Sequence, residues 1–260
     1  MVDFDPGPSK SVAEHFARLP GYTKAQRKMF WYDWGPVFYR GRLDKSAKVL
    51  GIASDPGPTE RIACRTLVGD AGQRVQGFLA KLGLTGSYVL LNAHAYALHP
   101  GQAFDGLDLL ADPERVEWRN ALFKKVTGPK LQAIVAFGGQ AHRALELWDT
   151  APSVPVQKVD HPSARDEKQL LNEWRAAIEA LRPVVTPDAD GDQTLPNYGT
   201  RFRESDYAPI PSRDLPFGLP AWFGDDAWGR KAKARHNNSV ERPTTDPEHR
   251  LVWRAPTGTP

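Results

Sequence analysis

Residues 49–58 read VLGIASDPGP, an aliphatic run that stops at a serine, an aspartate, two prolines and a glycine. The run has the length and composition of a buried β-strand, and the prolines and glycine end it in a rigid turn. Such a turn holds Asp55 at the carboxyl end of a strand, the edge of open α/β sheets where ligands bind. Taken alone, the stretch favours a simpler interpretation, an aspartate that caps a helix in a connecting loop. The rest of the chain has to decide between the two.

Strand and helix patterns alternate four times from residue 48 onwards. The strands are predicted at 48–53, 88–92, 131–137 and 154–159, and the helices at 70–82, 112–126, 140–148 and 167–181, with a short helix before them at 12–18. Helical crossovers between successive strands imply a parallel sheet that is covered on both faces. We therefore expect a three-layer α/β/α fold with a central, mainly parallel, four-stranded sheet.

The composition divides the chain into an α/β domain, residues 1–182, and an arm, residues 183–260. The arm holds eleven of the 23 prolines and eight aromatic residues without sustained periodicity. It cannot form a conventional core by itself, yet it is too aromatic for a typical disordered tail. We expect an irregular arm wrapped over the domain, with Trp222, Trp228 and Trp253 packed on it. The basic run at 229–236 is predicted to be a solvated face, the alternative being a phosphate contact.

Composition narrows the class of protein. With 260 residues and 40% hydrophobic side chains the chain can bury a sizeable core. No apolar run approaches the roughly 20 residues of a membrane span and the start does not resemble a signal peptide, so we expect a cytoplasmic protein without a membrane partner. One cysteine, Cys64, and seven scattered histidines suggest no metal or cluster, and no cofactor is predicted. A net charge of +3 permits nucleic acid as a partner without requiring it.

Polar side chains follow three of the predicted strands. Asp55 comes after the first, Asn92 ends the second and His161 follows the fourth. The carboxyl ends of parallel strands meet at one edge of a sheet, so we expect the three groups to be neighbours. The aromatic stretch at 29–39 is predicted to pack on the core as a flap or edge, the alternative being that it lines a site.

Five segments in this order resemble the uracil-DNA glycosylase superfamily. They are VLGIASDPGP at 49–58, RTLVGDAGQ at 65–73, YVLLNA at 88–93, AIVAFGG at 133–139 and DHPSAR at 160–165. The first is similar to the strand and acidic turn of that superfamily, the second to a Phe-Val-Gly-x-Ala-Gly-Gln segment of its thermophilic branches, and the last contains its His-Pro-Ser motif. The resemblance covers about residues 30 to 181 and leaves the arm outside.

The resemblance implies a role for ten residues of this chain. Asp55 and His161 are expected to carry the chemistry, with Asp70 as the second candidate carboxylate. Asn92, Leu67 and Ser54 are expected to contact uracil, and Gly57, Gly69, Ser163 and Arg165 to contact DNA. The implied partner is uracil-containing DNA, single- or double-stranded, bound by a monomer that associates with the nucleoid.

Departures from the superfamily's pattern keep several alternatives open. Asp55 lies four residues after Gly51 rather than two, which is why Asp70 stays a candidate. Leu67 stands where a stacking phenylalanine is expected, and Arg165 where a leucine wedge enters the DNA. We expect Arg165 to fill the gap in duplex DNA with its planar guanidinium, the alternative being a helix cap or a solvated side chain. The cysteines of the iron–sulfur branches are missing.

Hydrolysis of an N-glycosidic bond needs two developing charges to be stabilised. A carboxylate such as Asp55 stabilises the oxocarbenium-like sugar or orients water, and a neutral His161 donates to the O2 of the departing uracil. Asn92 can pair with the uracil edge in a way that cytosine does not match. The alternatives are a nucleotide-binding α/β domain, a non-catalytic or covalent uracil-DNA-binding protein of the same fold, and an enzyme acting on free nucleosides.

Overall fold

Five strands form one sheet in the order β1-β3-β2-β4-β5. The computed structural model describes residues 3–219 and Phe223, together with the backbone of Val240–Glu241 and Val252–Trp253. The strands of the sheet are β1 (Tyr39–Gly41), β2 (Val49–Ala53), β3 (Tyr88–Asn92), β4 (Ala133–Phe137) and β5 (Val156–Val159). The four predicted strands are present and parallel, and helices cover both faces. The prediction of a three-layer α/β/α fold is confirmed.

Eight α-helices occur within residues 3–219. They are α1 (Lys10–Ala17), α2 (Lys24–Arg27), α3 (Pro58–Ala63), α4 (Asp70–Lys81), α5 (Ala103–Leu110), α6 (Pro113–Val126), α7 (Gly139–Glu146) and α8 (Glu167–Leu181). Two more two-residue strands, β6 (Val240–Glu241) and β7 (Val252–Trp253), pair with each other in antiparallel fashion. The five predicted helices correspond to α1, α4, α6, α7 and α8, with ends that differ by at most two residues.

The strand order creates a crevice between β2 and β4. β2 pairs with β3 on one side and with β4 on the other. The helix α4, which follows β2, packs on one face of the sheet in a core with Phe78 and Trp174. The helix α7, which follows β4, packs on the other face in a core with Ile52 and Ala144. The connections that follow β2 and β4 thus leave in opposite directions. A crevice therefore opens between the carboxyl ends of these two strands, which is where α/β sheets bind ligands.

The sheet has a fifth strand that the sequence did not predict. β1 pairs antiparallel with β3, and its three residues are buried. Three residues are too few to show an alternating pattern, and a charged residue, Arg40, occupies the middle of the strand. The Arg40 side chain is 0% exposed and lies 3.4 Å from the carboxylate of Asp214 in the arm. A charge at this position is buried only because the distant arm supplies its partner.

The first part of the arm, residues 183–219, packs along the α/β domain. Val185 and Tyr198 join the core beneath α4 and α8, and Ile210 and Leu215 pack with Ala63. Asp214 accepts hydrogen bonds from the Tyr88 hydroxyl at 2.6 Å and from Arg42 at 2.5 Å. Trp222, Trp228, the side chain of Trp253 and the basic run at 229–236 lie outside the described residues.

The aromatic stretch at 29–39 covers the loop that follows β3. Trp31 and Val37 donate backbone hydrogen bonds to the carbonyls of Ala97 and Ala95, at 2.8 and 2.7 Å. The Trp31 ring stacks on that of Trp34, with ring centroids 5.3 Å apart. The stretch therefore packs on the core, as expected, and holds the loop that leads to Leu98. Of the helices that the structure describes, none has the length and apolar character needed to cross a membrane.

Candidate active site at the carboxyl edge of the sheet

A cavity of about 310 Å³ lies at the carboxyl edge of the sheet. It is lined by residues 55–60, Leu67, residues 69–71, Leu98, His161 and Ser163. Seven of the ten predicted site residues are in this lining, namely Asp55, Gly57, Leu67, Gly69, Asp70, His161 and Ser163. They come from the turn after β2, the start of α4 and the turn after β5. The order of the strands thus brings together groups that are about 100 residues apart in the chain.

Asp55 is held in place by the loop that follows β3. Its Oδ2 accepts a hydrogen bond from the Leu98 backbone N–H at 2.9 Å. The two loops are also joined below it, where Ala93 and His94 donate to the carbonyls of Ala53 and Ser54 at 2.8 and 2.9 Å. A carboxylate oriented in this way needs little reorganisation when positive charge develops near it.

Glu60 is a carboxylate in the cavity lining that sequence reasoning missed. Its side chain is buried, and its Oε2 accepts from the N–H of Gly57 at 2.9 Å. Its Oε1 accepts from the N–H groups of Val68 and Gly69 at 2.8 and 3.1 Å. One side chain thereby ties the turn after β2 to the loop before α4. The signal in the sequence was a glutamate at the third position of a helix that begins with Pro58, a capping pattern.

The contacts of Glu60 bear on the predicted phosphate contacts of two glycines. The backbone N–H groups of Gly57 and Gly69 both donate to Glu60 in this structure. A backbone N–H that already serves a carboxylate is not free to serve a phosphate as well. Both glycines line the cavity, and their contact with DNA stays a prediction.

Leu67 forms an apolar wall in an unusual backbone conformation. Its φ is +54°, in the left-handed region, and its side chain is buried. A Cβ added to Gly72 would come within 1.8 Å of the Leu67 carbonyl oxygen, so the first turn of α4 packs directly against this loop. Left-handed backbone at a non-glycine residue costs on the order of 1 kcal/mol and is often found at functional sites. Among the described residues that line the cavity, the only aromatic ring is the imidazole of His161.

Asp70 is the first residue of α4, and its side chain is about half exposed (48%). Its Oδ2 lies 3.4 Å from Nε of Arg74, one helical turn later. Pairing of this kind and a position at a helix N-terminus are the usual surroundings of a structural aspartate. Asp55, by contrast, is oriented by the loop that follows another strand, β3. Of the two candidate carboxylates, Asp55 therefore has the surroundings that are less typical of a purely structural aspartate.

His161 enters the cavity as a neutral hydrogen-bond donor. Burial lowers the pKa of its imidazole to about 4. The Ser163 backbone N–H donates to Nδ1 at 3.1 Å, so the proton of the neutral ring is on Nε2. Gly138, at the end of β4, has a φ of +89° and packs under this ring, since a Cβ there would lie 2.8 Å from the Cβ of His161.

Three predicted site residues are not in the cavity lining. Asn92 is buried at the end of β3, and its Nδ2 donates to the Val37 carbonyl at 3.0 Å. Ser54 precedes Asp55 and accepts a backbone hydrogen bond from His94. Arg165 is exposed, and the cap of α8 is Asp166, whose Oδ1 accepts from Gln169 at 3.0 Å. The predicted contacts of these three with uracil or DNA stay predictions.

A larger cavity, of about 530 Å³, lies at the far end of β1 between residues 5–9 and 41–44. The charged side chains Asp5 and Arg42 in its lining are engaged in hydrogen bonds and ion pairs within the protein. Asp5 accepts from Tyr39 at 2.9 Å and from Arg65 at 2.6 Å, and Arg42 binds Asp214. The smaller cavity is lined by an oriented carboxylate and a neutral histidine, two groups that can act on a substrate, and is therefore the better candidate for an active site. Within the part of the chain that the structure describes, no three His, Cys, Asp or Glu side chains converge as a metal site requires.

Comparison with protein-family models and with curated proteins gives no match for this chain.

Proposed function

We propose that the chain is a uracil-DNA glycosylase, which flips uracil out of DNA and hydrolyses its N-glycosidic bond. One observation carries the proposal. An oriented carboxylate, Asp55, and a neutral imidazole with its proton on Nε2, His161, line a single cavity at the crevice of the sheet. These are the two kinds of group that the reaction needs, one for each developing charge.

In the proposed reaction the bond between C1′ of the sugar and N1 of uracil breaks first. The sugar becomes oxocarbenium-like, and the carboxylate of Asp55 stabilises its positive charge and orients the attacking water. The Nε2–H of His161 donates to uracil O2, where the negative charge of the departing base accumulates. Water then adds its oxygen to C1′, and its proton neutralises the released base, which leaves an abasic sugar.

The dimensions of the cavity agree with a substrate of one nucleoside. Ligand cavities in proteins start at roughly 300 Å³, and this one holds about 310 Å³. A base inside a duplex cannot reach a recessed site, so it has to leave the stack. The turn that carries His161 also carries Ser163 and Arg165, both exposed. In the proposal these two contact the DNA strand around the flipped nucleotide.

Selection of uracil is proposed to involve Asn92, which is buried at the end of β3, outside the cavity lining. Its Nδ2 serves the Val37 carbonyl, so its Oδ1 is the atom assigned to the N3–H of uracil. Cytosine has no proton at N3 and would leave this acceptor unpaired, which costs about 1–3 kcal/mol. Leu67 and Leu98 provide the apolar walls, and Ser54 is proposed to contact uracil from the start of the turn.

The function is tested by incubating the 260-residue protein with oligonucleotides that carry one uracil, cytosine or thymine at the same position. We expect free uracil and an abasic site from the uracil strand, and intact DNA from the other two. A uracil-dependent complex that resists denaturant, without free uracil, would point to the covalent trapping alternative. Release of bases from nucleosides but not from DNA would instead indicate an enzyme of small molecules.

A further inference from the structure

Arg74 lies outside the cavity lining and connects helix α4, the turn that carries His161, and the arm. It lies on α4, and its Nη1 donates to the carbonyl of Pro162 at 2.9 Å, inside the turn that carries His161. Its Nε donates to the Tyr207 hydroxyl at 3.1 Å and lies 3.4 Å from Oδ2 of Asp70. The centre of the guanidinium is 4.3 Å from the centroid of the Phe202 ring.

The turn that carries His161 is fixed from two sides. On the α8 side, Glu173 accepts from the Asp160 N–H at 2.7 Å, and the Trp174 indole donates to the Asp160 carbonyl at 3.0 Å. Both contacts hold the residue before His161. On the α4 side, Arg74 holds Pro162, the residue after it. Arg74 thus bonds to the middle of the turn from another element of the fold.

The arm determines where the guanidinium of Arg74 can be. Phe202 and Tyr207 are arm residues, and the guanidinium packs on the first and bonds to the second. The same stretch is attached to α4 nearby, where Ala208 donates to the Gln73 carbonyl at 3.1 Å. A planar guanidinium that stacks on one ring and donates in two directions has one orientation, which a flexible ammonium would not keep.

We propose that Arg74 is a positioning residue, held by Phe202 and Tyr207 of the arm, that sets the placement of His161 through the carbonyl of Pro162. In this proposal the arm helps to position a residue of the active site, in addition to packing on the core. The effect on uracil release rests on the proposed function, whereas the effect on His161 itself does not. Besides Arg74, the charged and titratable groups around the turn are those of Asp55, Glu60 and Asp70 in the cavity, Glu173 on α8, His142 on α7, and Asp160, Arg165 and Asp166 along the chain.

The main variant is Arg74→Lys, which keeps the positive charge and removes the planar fork. Arg175→Lys is the matched control. Arg175 also attaches the arm, through bonds to the carbonyls of Tyr198 and Gly199 at 2.9 and 2.7 Å, but it starts from α8, and its described bonds do not reach the turn of His161. Tyr207→Phe is a second variant, which removes only the hydroxyl that accepts a hydrogen bond from Arg74.

The first readout is the pKa of His161, followed by NMR of its imidazole in the full-length protein. In Arg74→Lys we expect this pKa to rise from about 4 by about one unit towards the ordinary 6.5, because a loosened turn lets water reach the ring. Tyr207→Phe should raise it less, and Arg175→Lys should leave it unchanged. The second readout is uracil release, where kcat should fall about tenfold in Arg74→Lys with little change in KM.

The outcomes separate this proposal from the function on which it builds. Equal His161 pKa values in Arg74→Lys, Tyr207→Phe and the wild-type protein would overturn the positioning role. So would equal shifts in Arg74→Lys and Arg175→Lys, because both would then report a general loosening of the arm. A shifted pKa in Arg74→Lys in a protein that releases no uracil would support the positioning role and count against the glycosylase.

Discussion

Gly138 is the residue whose replacement reports most directly on the placement of His161. A methyl group at this position would lie 2.8 Å from the Cβ of His161, and the backbone φ is +89°. We expect Gly138→Ala to lower stability by about 1 to 3 kcal/mol through the backbone alone, because a φ of +89° with a ψ of 170° is open almost only to glycine. We also expect uracil release to fall roughly 100-fold, because the ring is displaced.

Gly7 offers a matched control for that substitution. Its φ is +86°, and a Cβ there would meet no atom within 4 Å. Gly7→Ala should therefore show the backbone cost in a thermal melt without a loss of uracil release. If both variants keep full activity, Gly138 does not position His161.

Two histidines, the buried His94 and the partly buried His161, predict how stability depends on pH. Burial lowers the pKa of both His94 and His161 to about 4, against about 6.5 in an unfolded chain. Between these values the unfolded chain binds protons that the folded chain does not, so stability is complete above pH 6.5 and falls as the pH drops towards 4. We expect a loss on the order of 3 kcal/mol for each ring.

Urea denaturation at several pH values measures this dependence. The double variant His94→Gln, His161→Gln should lose most of the slope between pH 6.5 and 4, whatever its stability at neutral pH. A slope that is the same in the wild-type protein and in the double variant would mean that the two rings are not buried as neutral groups.

At the scale of elements, the long regular parts were readable from the sequence and the short ones were not. The four parallel strands and α8 follow sustained apolar patterns, and α6 has a start signal in Asp112 and Pro113 that the structure uses as a cap. The helix α5 was missed because Gly106 interrupts it and Gln102 is a poor cap. Glu60 was missed because α3, in which it is the third residue, has only six residues.

The loops on either side of α3 give a prediction about Glu60. Its carboxylate accepts hydrogen bonds from three backbone N–H groups. In Glu60→Gln one carboxylate oxygen is replaced by an NH2 group, which is a donor and cannot accept from these N–H groups. We expect the free energy of unfolding, measured by urea denaturation, to fall by about 2 to 3 kcal/mol, because buried N–H groups lose their hydrogen bonds to a carboxylate. Uracil release should fall as well, because the cavity walls at Leu67 and Asp70 shift.

Glu114→Gln is the control for Glu60→Gln. Glu114 is also in the first turn of a helix, α6, but is exposed. Its replacement should change stability by no more than about 0.5 kcal/mol. Equal small losses in the two variants would show that Glu60 does not hold the loops together.

For the molecule as a whole, the prediction concerns the arm and the charge it neutralises. Asp214 is 0% exposed and bonds to Arg40, Arg42 and Tyr88, all in the first and third strands or next to them. Asp214→Asn leaves the buried charge of Arg40 without its counter-ion. We expect a loss of about 3 to 5 kcal/mol, the usual effect of breaking a buried pair from one side.

Asp192→Asn, an exposed arm residue, is the comparison, and thermal melting of both variants is the measurement. Its melting temperature should stay at that of the wild-type protein. If Asp214→Asn also melts like the wild-type protein, the arm is not an integral part of the fold. The sequence could not disclose this pair, because the two partners are 174 residues apart and no local pattern joins them.

Single-turnover release of uracil from a uracil-containing oligonucleotide tests whether Asp55 carries out the proposed hydrolysis. The wild-type protein is compared with Asp55→Asn and with Asp105→Asn, an exposed residue of α5. Asp55→Asn keeps the shape of the side chain and removes its charge, and loss of a preorganised charge costs about two to three orders of magnitude in rate. We predict release by the wild-type protein and by Asp105→Asn, and a rate about 100- to 1000-fold lower for Asp55→Asn. If the wild-type protein in excess over DNA releases no uracil, the chain is not a uracil-DNA glycosylase; if all three proteins release it at equal rates, Asp55 is not the catalytic carboxylate.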